Sequence, residues 1–179
     1  MSYKHIVPGK NIPDECHVVV EISANSAPVK YEVDKEMDVV MVDRVLSTAM
    51  IYPCNYGYVP QTLCDDGDPL DMLVLCDHPI AVGAVVTARP IGMLMMTDEA
   101  GLDYKILAVP TTKISKTYAH VQTIHDLPQS QLKMLEHFFQ HYKDLDDGKW
   151  VKLDGWRDAV AAKQALVDSV AMYKKQLSK

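Results

Sequence analysis

The sequence has few of the features that mark zinc, redox, secreted or membrane proteins. It contains four cysteines in 179 residues, and no two of them form a CxxC pair, so a zinc ribbon or a thioredoxin-type motif is not expected. The first residues lack the apolar stretch of a signal peptide, and no apolar run approaches membrane-spanning length. We therefore expect a protein of the reducing cytoplasm, without a membrane partner.

An excess of basic charge and the common nucleotide-binding motifs are also missing. The net charge is −6, whereas a general nucleic-acid binder needs a basic face. No P-loop, GxGxxG or GxSxG pattern is present. Gly67 is misplaced for an EF-hand, and Phe138, between His137 and His141, stands where a zinc protease needs Glu. These absences argue against nucleic acid as a partner and against the usual nucleotide, serine-hydrolase and zinc-protease sites.

The hydrophobic pattern changes its period along the chain. After Pro128 the apolar residues recur at helical spacing, which predicts a helix near 130–145 and a second helix from about Gly155 to Leu177 with Asp154 as its N-cap. Strands followed by helices predict one α+β domain over residues 1–179, a small antiparallel barrel with two C-terminal helices packed outside. The predicted strands are 17–22, 30–33, 72–76, 85–89, 91–96 and 104–109.

The densest charge cluster lies at residues 65–71, where four of seven residues are Asp. Such acids repel one another at a shared site unless divalent cations neutralise them. Gly67 and Pro69 favour a tight turn, so Asp66, Asp68 and Asp71 are able to converge. The alternative for this segment alone is a solvated acidic loop.

Five further clusters combine acids with cations or phenols. Taken singly, each is also consistent with a surface ion pair or with aromatic packing. Lys30 and Glu32 are two residues apart and therefore share one strand face, as do Asp103 and Lys105. The clusters are Glu21 with Lys30 and Glu32, Asp43-Arg44, the phenols Tyr52, Tyr56 and Tyr58, Asp98-Glu99 with Asp103 and Lys105, and Tyr142-Lys143.

Together the clusters predict a metal-dependent anion site. Seven acids and four cations leave an excess of three negative charges, which repels an anion unless two or more divalent metals are bound. Carboxylates with few His or Cys favour Mg²⁺ or Mn²⁺ over Zn²⁺. This combination indicates metal-assisted phosphoryl transfer to water. The acids are Glu21, Glu32, Asp66, Asp68, Asp71, Asp98 and Asp103, and the cations are Lys30, Arg44, Lys105 and Lys143.

The segment Asp66-Gly67-Asp68-Pro69-Leu70-Asp71 resembles the signature of family I soluble inorganic pyrophosphatases. Together with the other clusters it runs in family order between residues 21 and 143, and this ordered combination is far more specific than any one motif. The short chain is similar to the bacterial subclass. The resemblance implies an OB-like five-stranded barrel, hydrolysis of diphosphate to two phosphates, and commonly a homohexamer built from trimers.

The resemblance also implies a role for each motif residue. Asp66, Asp71 and Asp103 would ligate two activating Mg²⁺ ions, and Asp98 would join Asp103 at a metal that bridges to the substrate. Asp68 would accept the proton of the attacking water. Glu21 and Glu32 would act on the metals through waters, and Tyr52 would support the site from behind. The diphosphate would be held by Lys30, Arg44, Tyr56, Lys105, Tyr142 and Lys143.

Two alternative functions remain open at this stage: a hydrolase of nucleoside triphosphates or polyphosphate, and a non-enzymatic OB-type binding module. The metal preference among Mg²⁺, Mn²⁺ and Co²⁺ is also open. Separately, Met134, His137 and His141, with Phe138 between them, form an uncharged stripe on the first predicted helix. The histidines of this stripe are either simply exposed or part of a subunit contact that weakens as they gain protons.

Overall fold

The computed structural model describes residues 2–178 and consists mainly of β-strands. The strands are β1 (Cys16–Ile22), β2 (Val29–Asp34), β3 (Val39–Val45), β4 (Asn55–Tyr58), β5 (Asp71–Val74), β6 (Val85–Asp98), β7 (Gly101–Pro110) and β8 (Val151–Arg157). The helices are a 3₁₀ turn (Ile124–Asp126), α1 (Gln129–His141) and α2 (Ala159–Leu177). None of the helices in this described range is both long and apolar enough to cross a bilayer.

Five strands close into the predicted barrel. The order β1-β4-β5-β7-β6 returns to its start because β1 pairs with both β4 and β6. Every pairing in this ring is antiparallel except that of β5 with β7. This connectivity is that of an OB-like barrel, and it confirms the predicted fold class. β8 extends the sheet beyond β6, and β2 pairs with β3 as a separate hairpin.

Alternate residues of the central strands belong to two different hydrophobic clusters. Leu73 and Leu107 pack in the cluster that contains the buried face of α1. Met72 and Ile106 pack in the cluster that contains Ala162, Leu166 and Val170 of α2. Because successive side chains of a strand point to opposite faces, strands covered on both faces are apolar at every position. This explains why the sequence of β5 is a continuous apolar run after Asp71.

The second predicted helix begins later than expected. Residues 151–157 form strand β8, with Gly155 at φ +82°, and α2 begins at Ala159. Its N-cap is Asp158, whose carboxylate accepts a hydrogen bond from the Ala161 amide at 2.9 Å. The predicted N-cap at Asp154 is therefore wrong, because the tertiary pairing of β8 with β6 overrides the local capping pattern.

Several strand boundaries also differ from the prediction. β6 is one strand of 14 residues that passes through Pro90, where the register with β7 shifts between Pro90 and Gly92. Such an irregularity lets a strand accommodate proline, which cannot donate to the ladder. The prediction missed β3 and β4, and it extended the first helix about four residues past the end of α1. β4 is short and rich in turn-forming residues, which hides its strand character.

A close backbone contact holds β4 against β1. A Cβ atom on Gly57 would lie 1.9 Å from the carbonyl oxygen of Val19, so only glycine fits at this position. Gly57 separates Tyr56 from Tyr58, which both line the cavity described below. The contact therefore fixes where these two phenol rings enter the site.

Replacing Gly57 by Ala should strongly destabilise the fold, because the clash is with backbone atoms that cannot rotate away. We expect a loss of about 3 kcal/mol or more in the free energy of unfolding, measured by urea denaturation at matched protein concentration.

The matched control is Gly148→Ala, at a glycine with φ +74° whose added Cβ would meet no heavy atom within 4 Å among residues 2–178. It should cost only about 1 kcal/mol, the strain of the left-handed backbone. Equal losses for the two variants would contradict the proposed clash.

Candidate active site

One cavity of about 410 Å³ collects the side chains that the sequence analysis singled out. They come from strands β1 to β7, from the acidic turn before β5 and from the end of α1. All fourteen line this cavity: Glu21, Lys30, Glu32, Arg44, Tyr52, Tyr56, Asp66, Asp68, Asp71, Asp98, Asp103, Lys105, Tyr142 and Lys143.

Lys105 is the central cation of the cavity. Its ammonium group donates to Asp71 and, at 2.7 Å, to Asp103. Asp103 and Lys105 alternate on one face of β7, and the neighbouring strand β5 begins at Asp71. Burial lowers the pKa of Lys105, but the two carboxylates outweigh it and raise the pKa well above the usual lysine value. Lys105 therefore remains charged although it is only 5% exposed.

A second buried ion pair joins Lys143, which follows α1, to the end of β6. The Lys143 ammonium lies 2.6 Å from Asp98, and Glu99 lies 3.8 Å away. Burial raises the pKa of Asp98, but hydrogen bonds from Lys143 and from the Ala100 amide outweigh it, so the net shift is downward. This pair connects a helix end to the barrel rim at the cavity wall.

Glu21 and Asp103 are acids whose negative charge is only partly compensated. Burial in β1, together with the nearby Asp71 and Glu32, raises the pKa of Glu21 to about 8, against the lowering effects of a hydrogen bond from the Val33 amide and of Lys30. Burial likewise raises the pKa of Asp103 despite its contact with Lys105. Both acids are thus poised for an additional cation, which would stabilise their ionised forms.

The predicted phenols form the buried wall of the cavity. The rings of Tyr52 and Tyr56 lie 5.4 Å apart, and Tyr142 stacks on Phe138 at 5.3 Å. Burial raises the pKa of Tyr52 and of Tyr56 well above the usual value, so both remain neutral donors. Tyr52 is 3% exposed, and its ring centroid lies 4.7 Å from that of Phe138. This buried place suits a residue that supports the cavity wall.

The hairpin of β2 and β3 supplies the remaining cations. Lys30 contacts Glu32 and, at 3.1 Å, Asp43, which also accepts from Arg44 at 3.0 Å. The Nε atom of Arg44 is buried and has no hydrogen-bond partner within residues 2–178. The Arg44 side chain lines the cavity, but this Nε atom is itself shielded from solvent, as is the Nε of Arg89, which does not line the cavity.

Lys35 is a charged residue of the cavity that the sequence pattern did not single out. It lies in the turn between β2 and β3, and its ammonium group is 2.9 Å from Asp68. Little in the sequence pointed to Lys35, because strand alternation relates Lys30 to Glu32 but does not extend into the turn. With Lys35 included, seven acids and five cations line the cavity, so two negative charges are in excess when every acid, Glu21 included, is ionised.

The donor set suits a hard divalent cation in its chemistry, since carboxylate oxygens dominate and no His or Cys lines the cavity. Asp71 and Asp103 already converge on a single positive charge, that of Lys105. Within residues 2–178, however, no three Asp, Glu, His or Cys side chains are gathered into a ready-made metal site. Metal binding by these acids therefore requires local movement of side chains.

Comparisons with known proteins identify the family of this chain. The family model described as Inorganic pyrophosphatase matches residues 18–174. The curated inorganic pyrophosphatase of Xanthomonas campestris pv. campestris is 56% identical over 173 residues, which are 97% of each chain. A solved inorganic phosphatase from Anaplasma phagocytophilum has a TM-score of 0.93 and 47% identity, covering 94% of this chain and 99% of that one. The inorganic pyrophosphatase from Thermus thermophilus has a TM-score of 0.92 and 40% identity, covering 97% and 99% respectively.

These matches cover nearly the full length of this chain and of the proteins compared with it. The residues matched by the family model include every residue that lines the cavity, from Glu21 to Lys143. The chain therefore belongs to the inorganic pyrophosphatase family, as its ordered motifs predicted, and is by family an inorganic diphosphatase.

Proposed function

We propose that this protein hydrolyses inorganic diphosphate to two orthophosphates in a Mg²⁺-dependent reaction at this cavity. The observation that carries the proposal is the convergence of all fourteen predicted residues, spread between positions 21 and 143, around one space of about 410 Å³. Membership of the pyrophosphatase family supports it. The presence of Arg44 among the lining residues supports it further, because a phosphate oxygen is a natural acceptor for a guanidinium donor.

The proposed metal ligands are Asp66, Asp71, Asp98 and Asp103, with Glu21 and Glu32 acting through waters. When bound, Mg²⁺ supplies positive charge to the phosphoryl oxygens and lowers the pKa of a water ligand. Mn²⁺ suits the same oxygen donors. The two excess negative charges that line the cavity explain why the protein alone would bind an anion poorly.

The protein's own residues would then complete the chemistry. Asp68 accepts the proton of the attacking water, acting as a general base. The positively charged side chains donate to phosphoryl oxygens and stabilise the charge that develops on the leaving phosphate. Phenol hydroxyls at the buried wall donate without adding charge. The residues in these binding roles are Lys30, Arg44, Lys105, Lys143, Tyr56 and Tyr142.

The function is tested by phosphate release from diphosphate and from ATP, each with Mg²⁺ and with excess EDTA. We expect rapid release from diphosphate with Mg²⁺, much slower release from ATP, and loss of both in EDTA, because uncompensated acids repel the substrate. Full diphosphate hydrolysis in EDTA would refute the metal role. Faster release from ATP would instead favour a broader triphosphate hydrolase.

Replacing Asp68 by Asn should remove the proton acceptor at nearly constant volume. We expect kcat to fall by about 10²–10⁴-fold, the usual contribution of general base catalysis. The melting temperature should not change, because Asp68 is exposed and its ion pair lies at the surface. A variant with nearly normal kcat would show that the proton goes elsewhere.

We further propose that residues 1–179 act as a single cytoplasmic domain and assemble as a homohexamer. The stripe on α1 supports the assembly. Met134 is 48% exposed, the rings of His137 and His141 lie 4.8 Å apart, and Asp144 accepts from His141 at 2.7 Å. Phe138, which was predicted to belong to the stripe, is instead buried in the core, because it packs against Tyr52 and Phe139. The remaining stripe of one Met and two His is the surface that we assign to the subunit contact.

Assembly should weaken on acidification, since protonated histidines gathered at a symmetric contact repel one another. Sedimentation at about pH 7.5 and about pH 5, on either side of the usual histidine pKa, is the measurement. We expect His141→Gln to keep its assembly at the lower pH better than the parent protein does. If both proteins sediment identically at both pH values, the stripe is not a pH-sensitive contact.

A further inference from the structure

The exposed Lys35–Asp68 ion pair differs from the other ion pairs of the cavity. The acids on β5, β6 and β7 are fixed by the buried lysines Lys105 and Lys143. Asp68 lies instead in the acidic turn, and its side chain is 74% exposed. Within residues 2–178, Lys35 is the only side chain that hydrogen-bonds the Asp68 carboxylate.

The backbone of the acidic turn is fixed by its own hydrogen bonds. The Asp68 amide donates to the Asp66 carboxylate at 2.9 Å, and the Asp68 carbonyl accepts from the Cys64 amide at 2.8 Å. These bonds set the path of the chain but leave the Asp68 side chain free to rotate. The direction in which its carboxylate points is therefore decided by the partner on the far side of the cavity mouth.

That partner lies in a hydrogen-bonded turn. The turn between β2 and β3 is closed by Asp34, which accepts from the Glu36 amide at 2.9 Å and the Met37 amide at 2.7 Å. Lys4 also donates to the Glu36 carbonyl at 2.9 Å. Lys35 reaches Asp68 from this turn, and its side chain lines the cavity.

We propose that Lys35 is a positioning residue that holds the Asp68 carboxylate over the cavity. The inference rests on the proposed function, because it takes Asp68 as the proton acceptor. An exposed ion pair adds little to stability, but a general base acts only from within hydrogen-bond reach of the proton that it takes. Loss of Lys35 should consequently reduce catalysis without reducing stability.

The first test is Lys35→Gln, which removes the charge and shortens the donor. We expect kcat to fall about 10-fold, as for a modest displacement of a catalytic group, with an unchanged melting temperature and a smaller change in KM. Lys35→Arg should restore most of the activity, because it keeps the charge and reach. The matched control is Lys152→Gln, which breaks another exposed lysine–aspartate pair, with Asp154 at 2.8 Å on β8, and should leave kcat unchanged.

A double-mutant cycle separates positioning from direct substrate binding. If Lys35 acts through Asp68, adding Lys35→Gln to Asp68→Asn should lower kcat no further. The same 10-fold loss in both backgrounds would overturn the proposal and assign Lys35 to the substrate itself. An equal loss in Lys152→Gln would overturn it too, as a general effect of charge.

An activity-independent measurement keeps this inference distinct from the proposed function. A zero-length carbodiimide joins a lysine to a carboxylate only where the two are in contact, so the parent protein should yield a Lys35–Asp68 crosslinked peptide in mass spectrometry. Absence of that peptide in a protein that hydrolyses diphosphate would overturn the positioning role alone. If the protein forms this crosslink but does not hydrolyse diphosphate before carbodiimide treatment, the proposed function is refuted instead.

Discussion

The ion pairs of Lys105 with Asp71 and Asp103 are the interaction on which the rest of the site depends. Seven carboxylates around one cavity would repel one another in a low-dielectric interior. A charged lysine that is 5% exposed offsets part of this repulsion from inside the barrel. It also draws together two acids from neighbouring strands, and so it preserves the constellation before any metal or substrate enters.

The barrel explains why such a charge pattern is tolerated. Strands β5 and β7 run side by side and are apolar on both faces beyond their first residues, so the core lies next to the charged ends. The acids gather where the strands begin or end, at Asp71, Asp98 and Asp103. Stability therefore comes from buried apolar faces, while the strand ends are free to carry groups selected for chemistry.

The lysines of the cavity fall into two groups with different consequences. Lys105 and Lys143 are buried, and breaking a buried pair by removing one partner leaves an uncompensated charge, which is destabilising. Lys35 is exposed and contributes little to stability. The buried lysines thus maintain structure and charge balance in the interior, whereas the exposed lysine orients a side chain at the mouth of the cavity.

The sequence by itself determined the chemistry of the site. The acidic turn, the alternation of Lys30 with Glu32 and of Asp103 with Lys105, and the order of the motifs are local features, and local spacing fixes which side chains share a face. Only the tertiary structure decided which cation meets which acid, that residues 151–157 pair with β6 instead of starting a helix, and that Lys35 reaches Asp68. These outcomes depend on contacts between segments far apart in the chain, and neither periodicity nor capping preference carries that information.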